Sequence, residues 1–478
     1  MSKYDYDMII IGGGAAGLTV AAGAAPLGAK TALIEKERLG GDCLFYGCVP
    51  SKTLIKTAKV YHYAKNLKTF GLPEVDVPPC DLKSVMDHVS EVIDQVAVHD
   101  SVQRFQGMGV EVIFGSPEFV SDHEIKINGK TLSASHFTIA TGSRPMVFPI
   151  EGLQQSGFIT NVEVFSMEDL PNRLVVLGAG PIGAELAHAF ARLGSEVTLI
   201  DVLERPLSFE DQDMADVVIK QMVHDGISLR MGSKAKRAYP EGNQKVLVIE
   251  TEDGKEEAIE CDEILVATGR RPNVEGLGLE AGGVKYTQKG IETDLHMQTS
   301  QKHIYAAGDV NGKFPFTHIA GAEGSIIVRN GIMHIPGKIN YNMTPWVTFT
   351  DPEISSIGYN EQRAQRDDIE YDVHVETYEE VDRALAESEY QGKIKILTQA
   401  GSDRIIGVQI AGLHAGELIG ASILALNKHM KLSDLATPIF AYPTLSEIHK
   451  KSAGKYYAQK IFSPSVRGIL KFIFGYQG

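Results

Sequence analysis

The 478-residue chain carries 46 lysine and arginine residues against 61 aspartate and glutamate residues, a formal net charge of −15, which argues against a nucleic-acid partner. Apolar content of 43% and charged content of 22% are those of a globular protein with several domains, each able to bury its own core. Four cysteines in so long a chain exclude a secreted disulfide framework and point to a reducing cytoplasm.

The chain opens with Asp5 and Asp7 and enters an apolar run at once, so no signal peptide is expected. Residues 8–29 carry no charge and are long enough to cross a bilayer. Six glycines and Pro26 interrupt them, and the pattern predicts a strand, a glycine turn and a small-residue helix instead. The turn is G-x-G-x-x-G, with Gly12, Gly14 and Gly17, and the next apolar run, "TALIEK", ends in Glu35, 18 residues past Gly17. The first glycine makes the turn, the second admits a pyrophosphate to bare backbone, and the third lets helix and strand pack closely. The helix N-terminus then faces phosphate, and the distal acid accepts ribose hydroxyls.

Next comes "GGDCLFYGCVPSK", residues 40–52, with Cys43 and Cys48 five positions apart. A zinc site would need a second Cys or His pair at matching spacing, which is missing. A structural disulfide gains little across so short a loop. A redox pair has a mechanism: Pro50 suits the first turn of a helix, which puts Cys48 near a helix N-terminus where the dipole favours thiolate. Cys80, in a proline loop, and Cys261, beside a strand, lack such context and read as ordinary small residues.

"LVVLGAGPIG", residues 174–183, repeats the first module with Gly178, Gly180 and Gly183. Its following strand ends in Asp201, again 18 residues past the third glycine. Two copies in the same context predict two bound dinucleotides. "TIATGSRP" (138–145) and "LVATGRRPN" (265–273) resemble each other and mark the exits from the two modules. Their glycines, Gly142 and Gly269, are candidate contacts to the first and second dinucleotide. Asp201 would bind ribose hydroxyls and repel a 2′-phosphate, although Arg205 could soften that preference.

Near residue 340 the character changes to a strand-rich region, with "KIKIL" and "IIGVQI", followed by a helical "GELIGASILALNKHM". No low-complexity linker occurs. In the tail, Val466, Ile469, Leu470, Ile473 and Phe474 follow helical spacing with Arg467 and Lys471 off the stripe. That pattern predicts a helix packed on a dimer or, alternatively, contact of residues 463–478 with a membrane surface.

These motifs, with "TSQKHIYAAGDV" (299–310) and "AYPTLSE" (441–447), resemble the flavoprotein disulfide reductases, the family of dihydrolipoamide dehydrogenase, glutathione reductase and mercuric reductase. The resemblance covers nearly the whole chain. It implies an α/β fold of two Rossmann-like domains and an α+β dimerisation domain. The expected segments are 1–150 for the first part of the FAD domain, 151–272 for the NAD(P) domain, 273–340 for the return to the FAD domain, and 341–478 for dimerisation and tail. It implies FAD held by Gly12, Gly14, Gly17, Glu35 and, on the ribityl chain, Asp309. The second module would hold NAD(H), and Lys52 would pair with Glu185 beside the flavin. Cys48 would face the flavin and Cys43 would exchange with substrate. No metal site is expected. A tyrosine that family members often place after the second glycine of the second module is here Pro181.

One departure stands out. Disulfide-reducing members carry His-Pro-Thr near the C-terminus, with a glutamate five residues after a histidine that acts as acid–base catalyst from the partner subunit. This sequence has Tyr442, Pro443, Thr444 and Glu447. A phenol with a reference pKa of about 10 is a poor base at neutral pH. Mercuric reductase also has tyrosine there, but the vicinal cysteine pair of its C-terminus has no counterpart in "FIFGYQG", and its N-terminal metal-binding motif is missing too. The expectation is a homodimeric, cytoplasmic, FAD-containing NAD(P)H oxidoreductase with a Cys43–Cys48 redox centre and a small-molecule or protein-bound acceptor. Its rivals are a dihydrolipoamide dehydrogenase with an altered base, a mercuric or other metal-ion reductase, and a low-turnover flavin redox sensor.

Overall fold

The uncharged run near the start folds as β1 (Tyr6–Ile11), α1 (Ala15–Ala24) and, after a turn, β2 (Thr31–Glu35) in a computed structural model. The structure describes residues 3–476; the first two and last two residues of the expected outer segments lie outside the described residues. Met8, Ile9 and Ile10 have no exposed surface. A central parallel strand covered on both faces needs such an unbroken apolar run. No helix among the described residues is long and apolar enough to cross a membrane.

β1 lies between β2 and the strand Lys130–Ile139, parallel to both, and β2 pairs in parallel with Val110–Phe114. Ile304–Ala306 then adds in parallel to the far side of Lys130–Ile139. The chain therefore returns to its first sheet after leaving for some 160 residues. An antiparallel hairpin, Glu118–Ser121 and Glu124–Ile127, extends the same sheet. Between β2 and that sheet's edge strand runs α2 (Cys48–Lys65), which packs on the second module.

The second module repeats the first: β3 (Arg173–Leu177), α3 (Pro181–Leu193) and β4 (Glu196–Ile200). Its four parallel strands run in the order 228–230, 196–200, 173–177, 263–266. A three-stranded antiparallel sheet over residues 234–261 is attached to it; the sequence reading did not foresee it, because its alternating strands carry no ligand motif. The two exit segments pair with each other, Ser143–Pro145 against Arg270–Pro272. This antiparallel ribbon joins the modules where both chains leave their strands.

The last region forms a five-stranded antiparallel sheet in the order 345–348, 353–358, 405–412, 393–399, 371–377. The segments read as "KIKIL" and "IIGVQI" are its strands 393–399 and 405–412, and the helical stretch forms α4 (Ala415–Asn427). One face buries Ile394, Ile396, Val408 and Ile410 against helices that include α5 (Glu447–Ile461). The tail helix α6 (Pro464–Phe474) follows, with no buried residue.

Candidate active site

In both modules the glycines divide the same way. A Cβ on Gly12 would lie 2.2 Å from the Ala140 carbonyl oxygen, and one on Gly17 would lie 1.9 Å from the Gly12 carbonyl oxygen. The equivalents are 2.4 Å from Ala267 for Gly178 and 1.8 Å from Gly178 for Gly183. These four glycines are required by close packing. The middle glycines face open space: Gly180 has nothing within 4 Å and Gly14 only the Gly41 Cα at 3.9 Å. That opening is what a phosphate approaching bare backbone requires.

The acids are held alike as well. Glu35 accepts from the Gly13 backbone N–H at 2.7 Å and from Glu37 N–H at 2.9 Å. Asp201 accepts from Ala179 N–H at 2.6 Å and from Leu203 N–H at 2.9 Å. Two backbone donors fix each carboxylate at the end of its strand, pointing past the turn. Arg205 is turned away: its guanidinium donates to the carbonyls of Leu207, Ser208 and Glu210.

A cavity of about 1300 Å³ starts at Gly12–Gly14 and Glu35 and ends at Cys43, Cys48, Lys52 and Glu185. Gly142 and Asp309 line its middle. Asp309 accepts from Ser143 Oγ at 2.5 Å, and Arg270 bridges Asp309 at 3.6 Å and Asp42 at 3.0 Å. The volume of the cavity, its open glycine and its carboxylates Glu35 and Asp309 fit FAD. Gly269, expected near the second dinucleotide, does not line this cavity; it sits on the exit ribbon with Met146 Cε 3.3 Å from its Cβ position.

At the far end α2 begins with Cys48 as its first residue, capped by Gly47. The free N–H groups of that turn, on Gly47, Cys48 and Val49, favour negative charge there. The Cys43 thiol as hydrogen-bond donor, the Thr317 hydroxyl 3.6 Å away and the nearby Lys52 ammonium together pull Cys48 down to about 6 against the cost of burial. Cys43 moves the opposite way, pushed up by its bond to Cys48 and by desolvation. The reduced pair thus carries one charge and one proton, with the charge on Cys48. Cys80 is half-buried, and Cys261 is a fully buried strand residue whose thiol burial pushes up to about 12.

One helical turn past Cys48, Lys52 Nζ donates to Glu185 at 2.7 Å. Glu185 is buried on α3 and accepts from Phe349 N–H at 2.8 Å, and the Phe349 ring lies 4.6 Å from the same ammonium. All three regions of the chain meet at this point. A Lys–Glu pair with one buried member holds the lysine in place, which a solvated helix lysine would not be. Thr317 and Phe349 were missed by the sequence reading. Neither has a motif, and both are brought in by chain returns of more than 250 residues.

Tyr442 and Glu447 do not line the cavity of their own chain. Tyr442 is 70% exposed, and its hydroxyl donates to Asp382 at 2.9 Å. That bond raises its pKa further above the ordinary tyrosine range. Glu447 opens α5 five residues later. Elsewhere, Asp211, Asp213 and Glu361 converge closely enough for a cation, but the buried Lys395 ammonium already lies among them.

Residues 6–324 match the family model of the pyridine nucleotide-disulphide oxidoreductases, and residues 344–453 match the dimerisation domain of those proteins. A mercuric reductase of Bacillus cereus is 35% identical over 446 residues, spanning 93% of this chain and 70% of that protein. A dihydrolipoyl dehydrogenase of Thermus scotoductus is 36% identical over 464 residues, spanning 95% and 98%. Among solved structures, the Cu(II) complex of the HOCl-induced flavoprotein disulfide reductase RclA from Escherichia coli superposes with a TM-score of 0.83 at 26% identity. That match covers 95% of this chain and 100% of the other.

Proposed function

The chain belongs to the pyridine nucleotide-disulphide oxidoreductases, and on that premise we propose that it takes electrons from NADH and delivers them through Cys43 and Cys48 to an acceptor other than a disulfide. It is an FAD- and nicotinamide-dependent oxidoreductase with a dimerisation domain. Bound FAD supplies two-electron transfer between the nicotinamide and the sulfur pair. Gly12, Gly14, Gly17, Glu35, Gly142 and Asp309 would hold it, and Lys52, fixed by Glu185, would place a cation where its reduced form is negative. Gly178, Gly180, Gly183 and Asp201 would hold NAD(H).

Preference for NADH rests on Asp201 and Arg205 together. The carboxylate is fixed at the end of β4, where a 2′-phosphate would meet it. The arginine that could offset this charge spends its donors on three backbone carbonyls.

The choice of acceptor rests on Tyr442. Opening a substrate disulfide needs Cys43 to lose a proton and the departing thiolate to gain one. A phenol tied to Asp382, with its pKa raised, serves neither step near pH 7. A soft metal ion bound by both sulfurs displaces the Cys43 proton itself, and a quinone needs no sulfur exchange. Steady-state NADH oxidation with lipoamide, oxidised glutathione, quinones, mercuric ion and oxygen tests the reading. The expected result is slow turnover with both disulfides and faster turnover with a non-disulfide acceptor. Lipoamide as the fastest acceptor would make the chain a dihydrolipoamide dehydrogenase, and no turnover with any acceptor would make it a redox sensor.

A further inference from the structure

The tail helix α6 has a face that nothing in the described chain covers. At 3.6 residues per turn, Ile469, Leu470, Phe472, Ile473 and Phe474 spread over about 200° of its circumference, with Arg467 and Lys471 on the remainder. All seven are exposed, Phe472 to 92% and Ile473 to 60%. The apolar surface continues through Ile461 and Phe462 at the bend from α5, both more than half exposed, and ends in a stacked Phe474–Tyr476 pair with ring centroids 5.7 Å apart.

Two observations say what covers it. The first is charge. Residues 447–476 hold Lys450, Lys451, Lys455, Lys460, Arg467 and Lys471 against the single acid Glu447, in a chain whose net charge is −15. The basic groups of the helix, Arg467 and Lys471, form no salt bridge among the described residues. The second is position. The dimerisation-domain match ends at residue 453, so α6 lies outside the segment that gives the family its dimer. An apolar face flanked by arginine and lysine, with aromatic rings at its end, is the pattern of a helix lying in a lipid headgroup layer. Eleven residues make a rod of about 16 Å, far short of the roughly 30 Å needed to span.

We propose that α6, with Ile461 and Phe462, docks the enzyme on an anionic lipid surface, apolar face down and Arg467 and Lys471 at headgroup level. The test uses the full-length FAD-loaded protein, sedimented with vesicles of phosphatidylcholine with and without phosphatidylglycerol. Binding to the anionic vesicles is expected to exceed binding to neutral ones by at least about tenfold, since each surface cation contributes about fivefold, and to fall at high salt. R467E/K471E should reduce it to the neutral-vesicle level, and F472S/I473S should remove it. Both variants should remain dimers by light scattering and oxidise NADH as before. Absent binding, equal binding to both vesicles, or anionic binding that survives both variants overturns the proposal. If F472S/I473S loses the dimer instead, the covered partner is the second subunit and the lipid assignment is wrong.

Discussion

The two ends of the electron path are built to different standards. Around Cys48 everything converges: a helix N-terminus, a thiol donor from Cys43, the Thr317 hydroxyl and a lysine locked by a buried glutamate. Around Tyr442 the frame is present, with Pro443, Thr444 and Glu447 in place, but the group it presents is an exposed phenol bonded to Asp382. The first region is made to accumulate a thiolate, and the second is not made to move a proton. On the proposed reading the electron store is kept without the family's histidine, which favours acceptors that need only electrons or a pair of sulfurs.

The largest effect should come from the well-built end. Cys48→Ser is expected to lower NADH-driven reduction of every sulfur-dependent acceptor by more than about 10³-fold, as removal of an essential nucleophile does. It should also abolish the long-wavelength absorption of the NADH-treated holoenzyme, which Cys43→Ser should retain. The reverse pattern would exchange the roles of the two cysteines and dissolve the contrast. Next in size is cofactor choice. NADH should exceed NADPH in kcat/KM by about 10²-fold, because placing like charges together costs several kcal/mol. Asp201→Ala should narrow the ratio, and a native preference for NADPH would contradict the role given to Asp201.

A smaller effect concerns acidity. In the reduced protein, alkylation of Cys48 should follow a titration near pH 6, where the thiolate is already the main form at pH 7. An unperturbed thiol would titrate near pH 8.5. The sign for stability follows: a depressed thiol favours the reduced fold fully above about pH 8.5, and that contribution is lost as the pH falls through about 6. Lys52→Met should raise the midpoint by about one unit, the lower end of the effect of a neighbouring opposite charge. An unchanged midpoint would leave the helix N-terminus and Cys43 to carry the shift.

How far these regions could be read from sequence differs for the same physical reason. Gly12, Gly17, Gly178 and Gly183 are legible because a close backbone approach tolerates no Cβ, so spacing alone betrays them. Glu35 and Asp201 are legible because a strand of fixed length must follow. Cys48 is legible through Pro50 and the short span to Cys43. Thr317, Phe349 and Asp382 are not, since each acts through a contact made by distant chain segments and none belongs to a pattern with a required spacing. Gly269 shares its motif with Gly142, and it precedes the strand of the exit ribbon that pairs with the segment following Gly142. The antiparallel sheet of residues 234–261 escaped for want of any ligand-linked motif.

We propose that proton transfer at position 442, and not the sulfur pair, limits disulfide reduction. It is tested most directly by comparing NADH–lipoamide turnover of the native protein and of Tyr442→His, with the non-disulfide acceptor measured alongside. Glu447 remains to orient the new imidazole. Lipoamide turnover is expected to rise by about tenfold or more, the low side of general acid–base catalysis, while turnover with the non-disulfide acceptor stays the same. A native protein that already reduces lipoamide at a rate the substitution does not improve would contradict it, and the contrast between the two ends of the path would carry no functional meaning.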